Sequence, residues 1–298
     1  MHPRIIDWSL IAYLSLGWGA SFLLIALTLD SIPPVTLVSI RVIIGALVLL
    51  AIMRLQGLSF PEDKRWWGYF TILALIGNLM PFTLISWGQT QVTSSLAGIL
   101  MALMPITTML LAHFLVAGER MTLHRVIGFI LGFLGVVVLV GGEALSGLGG
   151  ATIIAQMAIL LATSCYAINS IYAKRLPRIN VVVAGAGTLL MGSIMVLPVA
   201  LLLDRPWELE VTLQAGLAVT ALGVFSTGLA TWVFFLIIAR RGPGFLAIIN
   251  YIIPVIAFAA GVLLLNEPAG LNKIIALIMI LSGIAIAQGV RRPPVRTQ

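Results

Sequence analysis

The chain has 298 residues, of which 60% are hydrophobic and 9% carry a charge, and its mean hydropathy is +1.13. Soluble domains carry roughly 25% charged and 45–50% apolar residues, so this chain has too little polar surface to coat a water-soluble globule. The composition excludes a soluble enzyme, a secreted disulfide scaffold and a disordered regulator. It indicates an all-α integral membrane protein, in which the single cysteine, Cys165, is a packing residue.

Ten apolar runs divide the chain. A helix needs about 20 apolar residues to cross the roughly 30 Å hydrocarbon core of a bilayer. Because backbone polar groups must be satisfied within each run, every run is predicted to be helical. The predicted spans, numbered 1 to 10 in chain order, are 8–29, 35–53, 66–88, 95–116, 124–141, 152–173, 181–202, 212–238, 244–265 and 272–289.

The net charge of +7 reflects where the basic residues lie. Of the 17 Lys and Arg, all but Arg41, Arg205 and Lys273 fall in or beside the loops on the side of the N-terminus. Cytoplasmic loops of membrane proteins collect Lys and Arg. The asymmetry predicts a multi-pass membrane protein with both termini in the cytoplasm. Since no basic cluster is interleaved with aromatics, the expected partners are the lipid bilayer and a small molecule rather than nucleic acid.

The second half of the chain echoes the first. At a spacing of 148 residues the matching pairs are Trp18 and Tyr166, Glu119 and Glu267, Gly135 and Gly283, and Gly141 and Gly289, while Pro105 and Pro254 match after a one-residue slip. With five helices in each half, the second half starts from the other side of the membrane. We therefore expect two inverted five-helix repeats, 1–146 and 147–298, an arrangement typical of secondary transporters with a site near the midplane.

Polar side chains inside the predicted spans are candidates for a substrate site, because polar groups in the membrane are costly and usually functional. Prolines there free carbonyls and kink helices, so they are candidate hinges. The polar candidates are Ser21, Asn78, Tyr166, Asn169, Ser226, Thr227, Asn250 and Tyr251, and the hinge candidates are Pro81, Pro105 and Pro254. The alternative for each polar residue is a hydrogen bond between helices.

Aromatic rings deep in the spans form a second set of candidates. Trp18, Phe82 and Trp232 are interleaved with the polar residues, and such rings stack on organic substrates when they face a cavity. Packing against lipid or against neighbouring helices is the alternative for each ring.

Two ionisable residues leave alternatives open. Arg41 is the one clear charge within a span. It either snorkels to the surface or pairs with Asp30, or it recognises a carboxylate. His113, near the inner end of span 4, is either a packing residue or a proton shuttle.

Several kinds of site lack the residues they need. No Asp or Glu lies in the middle third of any span, which disfavours coupling through a buried carboxylate, a site for lipophilic cations, and an aspartyl protease. Three histidines argue against a metal site, and neither a cofactor nor an enzymatic reaction is expected. Gly128 and Gly132 favour close helix packing, within one half or at a dimer contact, so we expect a monomer or a weak homodimer.

Ten short-looped helices in two inverted halves carry several characteristic segments. These are Gly17-Trp18-Gly19-Ala20-Ser21-Phe22, Arg41, Ser94-Ser95-Leu96-Ala97 leading to Pro105, Gly118-Glu119-Arg120 running into Gly128 and Gly135, and Asn266-Glu267-Pro268 running into Gly283. Together they resemble the drug/metabolite transporter superfamily in its EamA-type branch, over essentially the whole chain. The resemblance implies a basket of ten helices whose central cavity is lined mainly by spans 1, 3, 4, 6, 8 and 9.

The resemblance also implies an activity. Such proteins export amino acids, purines and other small metabolites, and a related branch carries nucleotide sugars and sugar phosphates. Two features depart from the pattern: Leu189 stands where the repeat would place a counterpart of Arg41, and span 1 lacks the glutamate that small multidrug relatives use. The departure in span 1 disfavours efflux of cationic drugs.

Together with the inverted repeat, the resemblance implies an exporter of small organic metabolites in the bacterial inner membrane, with amino acids favoured and aromatic ones among them, working by alternating access. Asn78, Ser226 and Thr227 are the expected first polar contacts. The alternatives are an exporter of purines, drugs or other metabolites, a lipid-handling membrane protein or enzyme, and a passive channel.

Overall fold

A computed structural model describes residues 3–116, 121–145 and 150–288, and this part of the chain is helical without a strand. Its helices reproduce the ten predicted spans. Their bounds are Pro3–Gly19 and Ser21–Leu29 for span 1, Pro34–Leu55 for span 2, Arg65–Ala74, Leu75–Leu79 and Met80–Gly88 for span 3, Ser94–Met101 and Met104–Leu115 for span 4, Leu123–Leu145 for span 5, Gly150–Ala173 for span 6, Val181–Leu203 for span 7, Leu213–Ala221, Leu222–Leu229 and Ala230–Arg241 for span 8, Pro243–Leu246 and Ile249–Leu264 for span 9, and Leu271–Gln288 for span 10.

Length and composition make eight of these spans long and apolar enough to cross a membrane, and spans 5 and 9 contribute shorter apolar helices. Local sequence sets several of their ends. Thr93 and Thr212 cap spans 4 and 8 by accepting hydrogen bonds from Leu96 N and Ala215 N. Glycines at positive φ, Gly57 and Gly242, follow spans 2 and 8, where other residues would be strained.

Two spans contain a π-helical segment at the same place in each half. Leu75–Leu79 lies in span 3 and Leu222–Leu229 in span 8. Pro81 accounts for the first, because it has no N–H to donate to the carbonyl four residues earlier. In the second, the Thr227 hydroxyl donates to the carbonyl of Leu222, five residues back. Such segments leave carbonyls without their usual helical partners.

The spans pair across the two halves. Span 2 packs on span 7, span 5 on span 10, and span 4 on span 9, while span 3 packs on span 6 and span 1 on span 8. When spans 1–5 are exchanged with spans 6–10, the pairs 2–7, 4–9 and 5–10 stay the same and the pair 3–6 becomes the pair 8–1. Glu119 and Gly289, which belong to the predicted repeat, lie outside the described residues.

Glycines set the closest of these contacts. A Cβ on Gly128 would collide with the backbone carbonyl of Gly283 in span 10, and one on Gly132 would meet Ile106 of span 4. The glycines of span 5 therefore pack inside one molecule, partly across the two halves. The prediction that they pack within their own half or at a dimer contact was wrong for Gly128, because its partner helix is span 10.

Candidate functional site

Eight of the ten spans surround a central cavity of about 940 Å³. Spans 5 and 10 lie outside it, and spans 2 and 7 contribute to its wall in addition to the six spans that the resemblance implied. Nine of the eleven predicted substrate-binding residues line it: Trp18, Ser21, Asn78, Phe82, Tyr166, Asn169, Ser226, Thr227 and Asn250.

The cavity opens at one end of the bundle, which we call the basic face. This is the end that carries the loops 56–64 and 174–180 and most of the Lys and Arg. Lys174, Pro177 and Arg178 of the second loop line the cavity, as does Trp66 at the start of span 3. The mouth is therefore cationic, and the cavity reaches from it to the middle of the bundle.

A layer of polar contacts closes the opposite face. Thr36 donates to a carboxylate oxygen of Asp204 through both its backbone N–H and its hydroxyl, each at 2.8 Å. The hydroxyl of Ser31 accepts from Thr212 N at 3.1 Å. These contacts tie the loop between spans 1 and 2 and the start of span 2 to the loop between spans 7 and 8.

Glu267 makes the third contact of this layer. Its carboxylate oxygens accept from Ser94 N at 2.7 Å and Ser95 N at 2.9 Å, at the positive end of the first helix of span 4. Partial burial alone would raise the pKa of Glu267, but hydrogen bonds from Ser95 and Ser94 outweigh it and lower that pKa below its usual value. The carboxylate thus holds spans 4 and 9 together in its charged form.

The turn after span 9 places the Glu267 carboxylate at the start of span 4. Asn266 adopts a left-handed φ of 53°, and Glu267 N donates back to Gly261 O, which ends the helix of span 9 in a tight turn. A Cβ on Gly261 would lie 2.5 Å from a carboxylate oxygen of Glu267 and 2.9 Å from the Ser94 hydroxyl oxygen. The glycine therefore makes room for the carboxylate.

Arg41 lies in the cavity wall and is only 5% exposed. Its Nε donates to the Thr227 hydroxyl at 2.8 Å, and its guanidinium carbon stands 3.9 Å from the centre of the Phe82 ring. The prediction that it snorkels to the surface or pairs with Asp30 was wrong, because the hydroxyl of span 8 and the ring of span 3 hold it inward while Asp30 is exposed in a loop.

Ser226 and Thr227 line the cavity but use their hydroxyl protons within the protein. Ser226 donates to Gly17 O at 2.7 Å, and the indole of Trp18 donates to Ser226 O at 3.1 Å, which ties span 1 to the π-helical segment of span 8. Thr227 donates to Leu222 O and accepts from Arg41. Each hydroxyl therefore has only acceptor capacity to offer a substrate.

Three lining amides keep their hydrogen-bonding capacity. Within the described part of the chain, the side chains of Asn78, Asn169 and Asn250 have no hydrogen-bond partner, and the Oδ1 of Asn169 is buried as well. Asn78 lies in the π-helical segment of span 3. Asn169 packs so closely on Gly77 that a Cβ on that glycine would lie 2.6 Å from the amide nitrogen. Asn78 and Asn250 offer both donors and acceptors to the cavity, whereas the acceptor of Asn169 is buried beside it.

Trp232 and Tyr251 do not line the cavity. Trp232 packs among buried side chains between spans, and the Tyr251 hydroxyl donates to Gln288 of span 10 at 3.0 Å. The reason is helical phase: each is one residue from a lining position, Thr231 or Asn250, and one residue turns a helix by about 100°.

The predicted hinges differ in setting. Pro81 starts the helix after the π-helical segment of span 3, and Pro105 follows an interruption of span 4 at Ala102 and Leu103. Pro254 lies inside the unbroken helix Ile249–Leu264.

His113 lies outside the cavity, near the basic face, with its ring against Phe114. Among the described residues, no group of three or more His, Cys, Asp or Glu could hold a metal ion. The cavity wall therefore offers amides, hydroxyls, aromatic rings and the Arg41 guanidinium, with Lys174 and Arg178 at the mouth.

Comparison with known proteins identifies the family. The EamA-like transporter family matches residues 8–141 and again residues 153–288. The chain belongs to this family. It is therefore a multi-pass membrane protein of a transporter family, and this confirms the family and the helical fold that the sequence predicts.

Individual relatives are distant but cover most of the chain. An uncharacterized transporter of Bacillus subtilis, YoaV, is 25% identical over 91% of this chain and 92% of its own length. An uncharacterized inner membrane transporter of Escherichia coli, YedA, is 24% identical over 82% of this chain and 78% of its own length. A crystal structure matches with a TM-score of 0.68 at 24% sequence identity, over 94% of this chain and 96% of the other, which supports the fold.

Proposed function

We propose that the protein is a secondary transporter that exports small organic metabolites, with amino acids favoured, across the bacterial inner membrane. The observation that carries the proposal is a central cavity that opens at the basic face and is closed by polar contacts at the opposite face. Binding sites at the midplane with access from one side at a time are the basis of alternating access.

The pairing of the spans supports an inverted repeat. Span pairs interchange when the halves are exchanged, and the π-helical segments of spans 3 and 8 begin at Leu75 and Leu222. Rocking of one half against the other would open the contacts around Glu267 and close the mouth near Lys174. The repeats 1–146 and 147–298 are the moving units of this proposal.

The direction of transport rests on the charge asymmetry. Because Lys and Arg collect in cytoplasmic loops, the basic face is assigned to the cytoplasm together with both termini. The cavity then opens to the cytoplasm and loads substrate there. A transporter that loads substrate from the cytoplasm and releases it at the opposite face is an exporter.

The lining favours amino acids and similar metabolites. Asn78 and Asn250 offer donors and acceptors for a polar head group, and Trp18 with Tyr166 forms an aromatic wall for a side chain. Aromatic amino acids match both features.

Counterflow in proteoliposomes tests this function. Labelled phenylalanine, methionine and threonine are offered to vesicles preloaded with the same unlabelled amino acid, and saturable, competable exchange is expected. A passive channel would give uptake without saturation. No exchange of any amino acid by folded protein would refute the assignment.

A single substitution tests the site. Asn78→Ala removes an amide that no other described side chain satisfies, so counterflow is expected to fall about tenfold or more at equal protein. Ser9→Ala, near the N-terminal end of span 1 and outside the cavity, is the control and is expected to exchange normally. Full counterflow by the Asn78 variant would remove that residue from the site.

A further inference from the structure

Arg41 is a fixed cation in the wall of the cavity. Thr227 holds its Nε at 2.8 Å, and the Phe82 ring lies 3.9 Å from its guanidinium carbon. Thr227 is itself fixed by its bond to Leu222 O at 2.9 Å. These contacts use one of the five N–H donors of the guanidinium and leave both terminal nitrogens without a protein acceptor in the part of the chain that the structure describes.

Among the described residues, no acidic side chain forms an ion pair with Arg41. The ion pairs among the described residues join Arg205 to Glu208 and Asp7 to Arg240 and Arg241, all away from Arg41. No Asp or Glu is among the described residues that line the cavity. A charge buried within a membrane protein is costly unless a partner compensates it.

We propose that the substrate supplies this partner, and that Arg41 binds the carboxylate of the transported molecule. The inference rests on the proposed transport function and names its substrate class: organic molecules with one carboxylate and an apolar or aromatic body. The planar guanidinium presents parallel N–H groups that match the two oxygens of a carboxylate. Thr227 and Phe82 orient it before the substrate arrives.

The distribution of charge favours a single carboxylate over a doubly charged phosphate. Arg41 is the one cation at this depth among the lining residues that the structure describes, while Lys174 and Arg178 lie at the mouth. The mouth cations attract an anion to the cavity. The site itself then neutralises one negative charge.

Arg41 has no charged counterpart at the equivalent position of the second half. Leu189 of span 7 occupies the position equivalent to Arg41, lines the cavity and is buried. Spans 2 and 7 pack on each other, so this part of the wall carries the Arg41 cation and no second one from the repeat. We expect the substrate to bind with its carboxylate toward Arg41.

A matched pair of probes tests the inference without any substitution. 3-Phenylpropanoate and 3-phenylpropanamide have the same body, and only the first is charged. In wild-type protein the acid is expected to compete with labelled phenylalanine in counterflow and to raise the thermal unfolding temperature in detergent. The amide is expected to be at least about tenfold weaker in both measurements, because it lacks the charge-assisted hydrogen bonds.

Substitutions then assign the effect to Arg41. Arg41→Gln is expected to abolish the difference between acid and amide, and Arg41→Lys to retain part of it, since lysine keeps the charge without the planar fork. Arg54→Gln removes an exposed cation from the basic end of the same helix and serves as the control with wild-type discrimination.

Equal effects of acid and amide on the wild type would overturn the inference, even where counterflow of phenylalanine is active. So would the absence of any stabilisation by the acid at millimolar concentration, or unchanged discrimination in folded Arg41→Gln protein. Arg41-dependent stabilisation by the acid without counterflow of any amino acid would support the inference and refute amino-acid transport. The two proposals therefore fail separately.

Discussion

At the scale of single residues, Glu267 controls how firmly the opposite face is closed. Its carboxylate accepts two backbone hydrogen bonds at the start of span 4, and its pKa is lowered from an ordinary 4.5. A group whose pKa is lowered by folding stabilises the folded state above its ordinary pKa, and this contribution is lost as pH falls through the folded-state value.

The closed state is therefore expected to weaken in acid through Glu267. Glu267→Gln keeps one acceptor but loses the charge, so we expect it to destabilise the protein at neutral pH by about 1–3 kcal/mol. Measured by thermal unfolding from pH 7 to about pH 3, the wild type should lose stability toward acid and the variant should lose less. The control is Glu208→Gln at an exposed position on the same face. Parallel pH profiles of wild type and Glu267→Gln would contradict this role.

The sequence indicates which polar and aromatic residues lie inside a span, but not which of them face the cavity. Asn78 and Asn169 line it, whereas Trp232 and Tyr251 are turned away from it by one residue. Because these helices are apolar on every side, no pattern of polar and apolar residues shows which side faces the cavity. The inward position of Arg41 follows from Thr227 and Phe82, which come from distant parts of the chain.

At the scale of helices, glycines determine how closely spans 5 and 10 approach. A Cβ on Gly128 would collide with the rigid backbone of Gly283, whereas one on Gly68 in span 3 would meet nothing within 4 Å. We expect Gly128→Ala to destabilise the protein by about 1–3 kcal/mol through overpacking. Gly68→Ala, the matched control, should be neutral or stabilising by up to about 1 kcal/mol. Equal unfolding temperatures for the two variants would show that this helix contact is not tight.

The ten spans could be predicted from hydropathy alone, because a bilayer demands long apolar helices with internally bonded backbones. The interruptions within them could be predicted only in part. Pro81 and Pro105 mark real irregularities in spans 3 and 4, but Pro254 lies in a continuous helix and span 9 is instead interrupted before Ile249. The π-helical segment of span 8 contains no proline, so it could be anticipated only from its equivalence to the segment of span 3.

At the scale of the whole molecule, one cavity and two unequal ends define the proposed transport state. The mouth at the basic face carries Lys174 and Arg178, and the closed face depends on contacts of Asp204 and Glu267. Neither end could be predicted from the sequence, since each joins loops from both halves. The difference in charge between the two faces could be predicted, because it depends only on the number of Lys and Arg in each loop.

Sided thiol labelling tests the central claim most directly. In a Cys165→Ser background, Asn78→Cys places a thiol inside the cavity, and Gln91→Cys places one in an exposed loop of the opposite face as a control of sidedness. A membrane-impermeant reagent is applied to inside-out and right-side-out vesicles without substrate. We expect Asn78→Cys to react only in inside-out vesicles and Gln91→Cys only in right-side-out ones. Reaction of Asn78→Cys from both sides at equal rates would indicate an open pore, and reaction only in right-side-out vesicles would contradict a cavity that opens to the cytoplasm.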